Sequence, residues 1–133
     1  MFLGLLNDGQ KKLFLELAVK AAEANDVVTV EEQNVMEAFA REMQIEPVYN
    51  SDDSLDELLE QFCSSSSQKV KRIVLFELLG VLFSDSEFDE KEKLFISSVI
   101  EKFGIDESKV KDMRDAITEY ANLYNRIVRI VFE

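Results

Sequence analysis

Apolar residues recur along this chain at helical spacing in six stretches, parted by short polar breaks. In residues 11–24, Leu13, Phe14, Leu17, Ala18, Ala21 and Ala22 share one face of a predicted helix, with Asp8 as its N-cap and a turn at Asn25. Thr29 and Glu32 have the spacing of a capping box, in which each side chain bonds the other's backbone N–H. That box opens a second helix with the stripe Val35, Met36, Phe39, Ala40 and Met43, closed by Pro47. Ser54 and Glu57 form another box before a short helix carrying Leu55, Leu58, Leu59 and Phe62. After the serine run 64–67, with Ser65 and Gln68 as the cap, residues 69–83 are apolar around most of the helix, which predicts a central position. Asp89 and Glu92 open the next helix, and Gly104 ends it as the C′ residue. Asp106 caps a long last helix over about 107–132. Its seam of Val110, Met113, Ile117, Tyr120, Tyr124, Ile127 and Val131 alternates by threes and fours, and is expected to pack within the chain rather than serve a dimer.

Moving the chain by sixty positions lays residues 15–45 on 75–105. Apolar pairs such as Val35/Phe95, Met36/Ile96 and Met43/Phe103 coincide, as do the cap residues Thr29/Asp89 and Glu32/Glu92. The pattern reads as a duplicated helical hairpin, copy one over about 11–46 and copy two over about 69–105. Few glycines (4) and one proline in 133 residues agree with long helices, and the length suits one domain. The expected fold class is therefore all-α, a single-domain helical bundle.

Charge and chemistry narrow the function. Fifteen basic residues against 27 acidic ones give a net charge of −12, which disfavours nucleic acid and anionic membranes and suits cations or basic protein surfaces. The chain has no histidine and a single cysteine, so triads, Cys–His nucleophiles and Cys/His zinc sites are excluded, as is an internal disulfide. Cys63, beside Phe62, is expected to be a half-buried structural thiol. The apolar start, residues 1–6, lacks the basic flank of a signal peptide, and no run spans a bilayer, so a cytoplasmic location is expected, without membrane insertion.

The loop between the second pair of helices gathers Asp85, Glu87, Asp89, Glu90 and Glu92. Any ion held there takes oxygen ligands, which means calcium, magnesium or manganese. An EF-hand is excluded, because Glu90 stands where its glycine belongs and Ile96 where its bidentate carboxylate belongs. Acidic residues also cluster at helix starts simply to cap amides and complement the dipole, which accounts for Asp89 and Glu92 but not for Asp85 and Glu87.

The second copy, residues 78–92 (LLGVLFSDSEFDEKE), and the weaker first copy, residues 24–32 (ANDVVTVEE), resemble the TerB-like family linked to tellurite resistance and chemical stress, related to the domain at the start of DjlA-type J-domain proteins. That resemblance implies about seven helices in two pseudo-twofold-related hairpins. It also implies an acidic cluster binding a divalent cation, with Asn25, Asp85, Glu32 and Glu92 in the ligand positions and Asp26 as a substitute beside Asn25. Asn25 brings no charge, and Asp26 and Ser86 replace the family's loop glycine. The expected function is a non-enzymatic stress-response or scaffold module with a protein partner, monomeric or homodimeric. Two alternatives stand beside it: a metal-independent domain recognising a basic surface, and a carboxylate- and metal-dependent hydrolase, which no substrate pocket or nucleophile motif supports.

Overall fold

A computed structural model describes residues 1–23, 30–82 and 90–133, the side chains of Glu31 and Leu82 excepted. These residues form a 3-10 turn, η1 (Leu3–Leu5), and six α-helices, with no strand among them: α1 (Asp8–Glu23), α2 (Val30–Met43), α3 (Leu55–Ser65), α4 (Gln68–Leu82), α5 (Glu90–Phe103) and α6 (Glu107–Phe132). The all-helical expectation holds.

The starts of α1 and α4 differ from the sequence reading by one or two residues, for a local reason. Asn7, not Asp8, caps α1: its Oδ1 accepts from the Gln10 N–H at 2.9 Å, and Gln10 Oε1 accepts from the Asn7 N–H at 3.0 Å. A glutamine three residues past an asparagine makes the same reciprocal box as the acidic pairs do. Likewise Ser67 Oγ accepts from the Val70 N–H at the start of α4, whereas the Ser65 hydroxyl donates back to the Gln61 carbonyl inside α3. The Ser54–Glu57 box before α3 is present as expected. Asp106 holds the N-cap position of α6 without a side-chain cap bond. The boxes at Thr29 and Asp89 lie outside the described residues.

The sixty-residue offset reappears in the helix bounds. Adding sixty to α2 gives the limits of α5, and adding sixty to α1 gives α4 to within one residue. Both copies also end alike. The Ile45 N–H reaches the Ala40 carbonyl and the Gln44 N–H that of Arg41; sixty residues on, Ile105 reaches Ile100 and Gly104 reaches Glu101. Each is a Schellman motif with its C′ residue in the left-handed region, at φ 58° for Gln44 and 65° for Gly104. This motif, three residues ahead of Pro47, is what stops α2.

Gln44 therefore occupies a backbone conformation that glycine adopts freely, while its side chain is exposed. Gln44→Gly is expected to stabilise the protein by about 1 kcal/mol, raising the thermal midpoint by roughly 3–5 °C. Gly104→Gln is expected to lower it by a similar amount, both read by calorimetry.

One core runs through all the helices. α1 and α4 are its two central members. In α1, Phe14, Leu15, Leu17 and Val19 are fully buried, so the burial extends round the helix beyond the single stripe read from sequence. In α4, Val74, Leu75, Leu78 and Leu79 are equally buried. α2 and α3 pack on α1, α5 and the first part of α6 pack on α4, and α3 joins the two halves by packing on α5. Phe62 and Phe103 meet edge to face across that joint, centroids 5.9 Å apart. Cys63 is half-buried there, its Sγ 3.4 Å from the Lys102 carbonyl. A smaller cluster of Val19, Ala22 and Met36 lies under Val48.

The expectation that the α6 seam packs within the chain is overturned beyond its first third. Val110 is buried and Met113 and Ile117 lie partly covered against the core. From there on the helix leaves the body: Tyr120 and Tyr124 are each 58% exposed, Ile127 48% and Val131 64%. No described helix is long and apolar enough to cross a membrane.

Candidate functional site

The sequence-predicted ligands divide sharply. Asn25, Asp26 and Asp85 lie outside the described residues, as do Glu87 and Asp89. Glu32 and Glu92 are each the third residue of their helix, α2 and α5, and so hold equivalent places sixty positions apart. Glu92 is buried, 7% exposed, and Glu32 is half-buried. The described residues contain no group of three or more side chains arranged to hold a metal ion.

The best-defined polar cluster was not foreseen from the sequence. The amino group of Met1 sits 3.0 Å from carboxylate oxygens of both Glu42, on α2, and Glu77, on α4. The Phe2 N–H donates to Glu77 Oε1 at 2.8 Å and the Leu3 N–H to Glu42 Oε2 at 3.1 Å. Two carboxylates from different helices thus hold the start of the chain, while Leu3 fills the core beneath and Phe2 meets Phe76 edge to face. Glu77 is only 8% exposed, and these bonds are what make a buried carboxylate tolerable. Partial burial pulls the pKa of the Met1 amine down, but the hydrogen bonds and charges of Glu42 and Glu77 outweigh it and raise it above 8.0. A signal was available: Glu77 is the lone acid inside the most apolar helix of the chain, and a buried charge calls for a partner. Beside this clamp runs a shallow, mostly apolar groove of about 360 Å³ between α2 and α4, lined by Val35, Phe39 and Val81 among others.

Two further polar contacts lie at the surface. Glu60 and Lys102 pair at 2.6 Å, which lowers the one pKa and raises the other. The Tyr49 hydroxyl donates to Glu37 at 2.9 Å, a bond that raises the phenol's pKa. Such exposed pairs contribute little to stability.

The third feature is α6. Residues 107–133 carry five basic and five acidic side chains, so the whole net charge of −12 belongs to residues 1–106. From residue 120 to 132 no acid occurs, and Asn122, Asn125, Arg126 and Arg129 occupy the side away from the seam. The molecule accordingly combines an acidic body with a neutral arm bearing an apolar face.

Comparison of the chain with protein-family models, curated proteins and solved structures finds no match.

Proposed function

We propose that this protein is a non-enzymatic interaction module of the TerB-like kind, a scaffold component whose contact element is α6. The exposed apolar face from Tyr120 to Phe132 supports this reading. A contiguous patch of aromatic and aliphatic side chains on a soluble surface marks a place where another surface sits. The acidic body keeps phosphate backbones away from that contact. A role in chemical stress follows from the family resemblance alone.

Photo-crosslinking in the cells that make the protein tests it. A photoreactive residue at Tyr124 is expected to give covalent protein adducts, while one at Asn122, on the other side of α6, gives few. Absence of adducts at Tyr124 removes the reading.

A second reading keeps the divalent cation. It draws on Glu92, whose carboxylate is buried at the very start of α5 next to the acidic loop. A cation that binds only the folded chain stabilises it by about 2.7 kcal/mol at a hundredfold excess over its Kd. Calcium, magnesium or manganese is therefore expected to raise the melting temperature by several degrees, and Asp85→Ala combined with Glu92→Ala to abolish the rise. A melting curve indifferent to all three ions discards the metal.

A further inference from the structure

We propose that the occupant of the α6 face is a second copy of this chain, paired with it antiparallel through the exposed half of the helix. The inference rests on α6 being the contact element and names its partner.

Three observations carry it. The first is the spacing. The seam runs 110, 113, 117, 120, 124, 127, 131, an unbroken alternation of three and four. That repeat keeps one stripe facing a second helix along its length, with each side chain set between those of the partner. A docking surface for an irregular partner or a lipid layer needs an apolar face but not this alternation.

The second is the pairing of sizes. In an antiparallel pair centred between Tyr124 and Ile127, Tyr120 of one copy meets Val131 of the other, and Tyr124 meets Ile127. Each large ring then faces a smaller branched side chain in all four layers, which fills space evenly. A parallel pair instead stacks tyrosine on tyrosine in two layers and leaves thinner aliphatic layers in the other two. The flanking positions support close approach as well: Ala121, Leu123, Val128 and Ile130 are all uncharged, so nothing beside the seam repels an identical helix.

The third is charge and area. With −12 on residues 1–106 and a neutral α6, the arm is the part of the surface where two copies meet without electrostatic penalty. Antiparallel pairing sends the two acidic bodies to opposite ends, whereas parallel pairing sets them side by side. The exposed apolar side chains from Tyr120 to Phe132 offer on the order of 800 Å², about one partner's share of a stable interface.

Sedimentation equilibrium of the full chain, from low to high micromolar concentration, is expected to return the mass of two 15.3 kDa chains. Tyr124→Glu combined with Ile127→Glu is expected to return one chain with its circular dichroism largely kept, since both side chains are exposed in the single copy. Arg129→Glu, on the opposite side of α6, leaves the pair intact. In a Cys63→Ser background, a mixture of Tyr120→Cys and Val131→Cys chains oxidises to the mixed disulfide, and Val131→Cys alone does not link. A single-chain mass at every concentration overturns the proposal, as does a single chain that instead floats with phosphatidylcholine–phosphatidylserine vesicles. Linking of Val131→Cys to itself overturns the antiparallel register. Single-chain mass together with Tyr124 adducts to a different protein sinks self-pairing while sparing α6 as the contact element; no adduct of any kind sinks both.

Discussion

Phe62→Ala is expected to cost about 3–5 kcal/mol, the range for truncating a buried phenylalanine. Phe62 is fully buried on α3, and its ring meets Phe103 of α5 edge to face. The loss is therefore concentrated at the joint where α3 packs on α5. A chain of this size has only about 5–15 kcal/mol of net stability, so roughly a fifth of it or more would go with a single ring. Urea unfolding followed by circular dichroism measures the change. A stability loss of less than about 1 kcal/mol would mean that α3 and α5 close over the cavity, and that the joint is looser than its geometry implies. Leu94→Ala, at an exposed position on the outer side of α5, is the matching control and is expected to change little.

Glu77→Ala is expected to cost about 1–3 kcal/mol, because the partly buried Phe2 N–H loses its acceptor and the Met1 amine loses one of two carboxylates. Glu77→Gln keeps an acceptor oxygen for Phe2 while removing the charge, and is expected to recover part of the loss. The pH dependence separates the two contributions. The amine's pKa is raised in the folded protein, so its contribution is complete below the unfolded value of 8.0 and fades as pH climbs through the raised one. Wild-type stability should thus decline above pH 8, over a span that ends with deprotonation of the folded amine. In Glu77→Ala that decline should be smaller. Solvent screening at this partly exposed group keeps the pH effect modest beside the loss of the hydrogen bond. An undiminished decline in the variant would assign the effect to other groups.

The helices were legible because their apolar spacing is regular and their caps use residues with strong local preferences. Where the reading slipped, the competing choices were chemically close: Asn7 stands beside Asp8, and Ser67 two residues past Ser65, and tertiary packing decides between such neighbours. Pro47 was a sufficient reason to end α2, yet the chain had already stopped at Gln44, where a backbone motif leaves no mark on residue type when glycine is absent. The seam of α6 is apolar as its spacing predicts, but only its first third, Val110 to Ile117, packs within the chain. Periodicity tells which residues share a face but not whether another part of the chain covers that face. The clamp of Glu42 and Glu77 depends on residues 39 and 75 positions from their partners, a separation that no local pattern encodes. Of the five expected ligands, the sequence offered residue type and spacing for Glu32 and Glu92. Their partners in the loops lie outside the described residues.

The clamp also bears on how the chain comes off the ribosome. The acceptor of the Phe2 N–H, Glu77, is synthesised 75 residues after it. At roughly 5–20 residues per second, Phe2 waits several seconds for it, and the exit tunnel lengthens the delay. During that interval Leu3 and Leu6, destined for the interior, remain without their finished seat. The segment around Phe2 thus settles only after α4 has emerged, and a factor that shields nascent apolar chain has a clear task there.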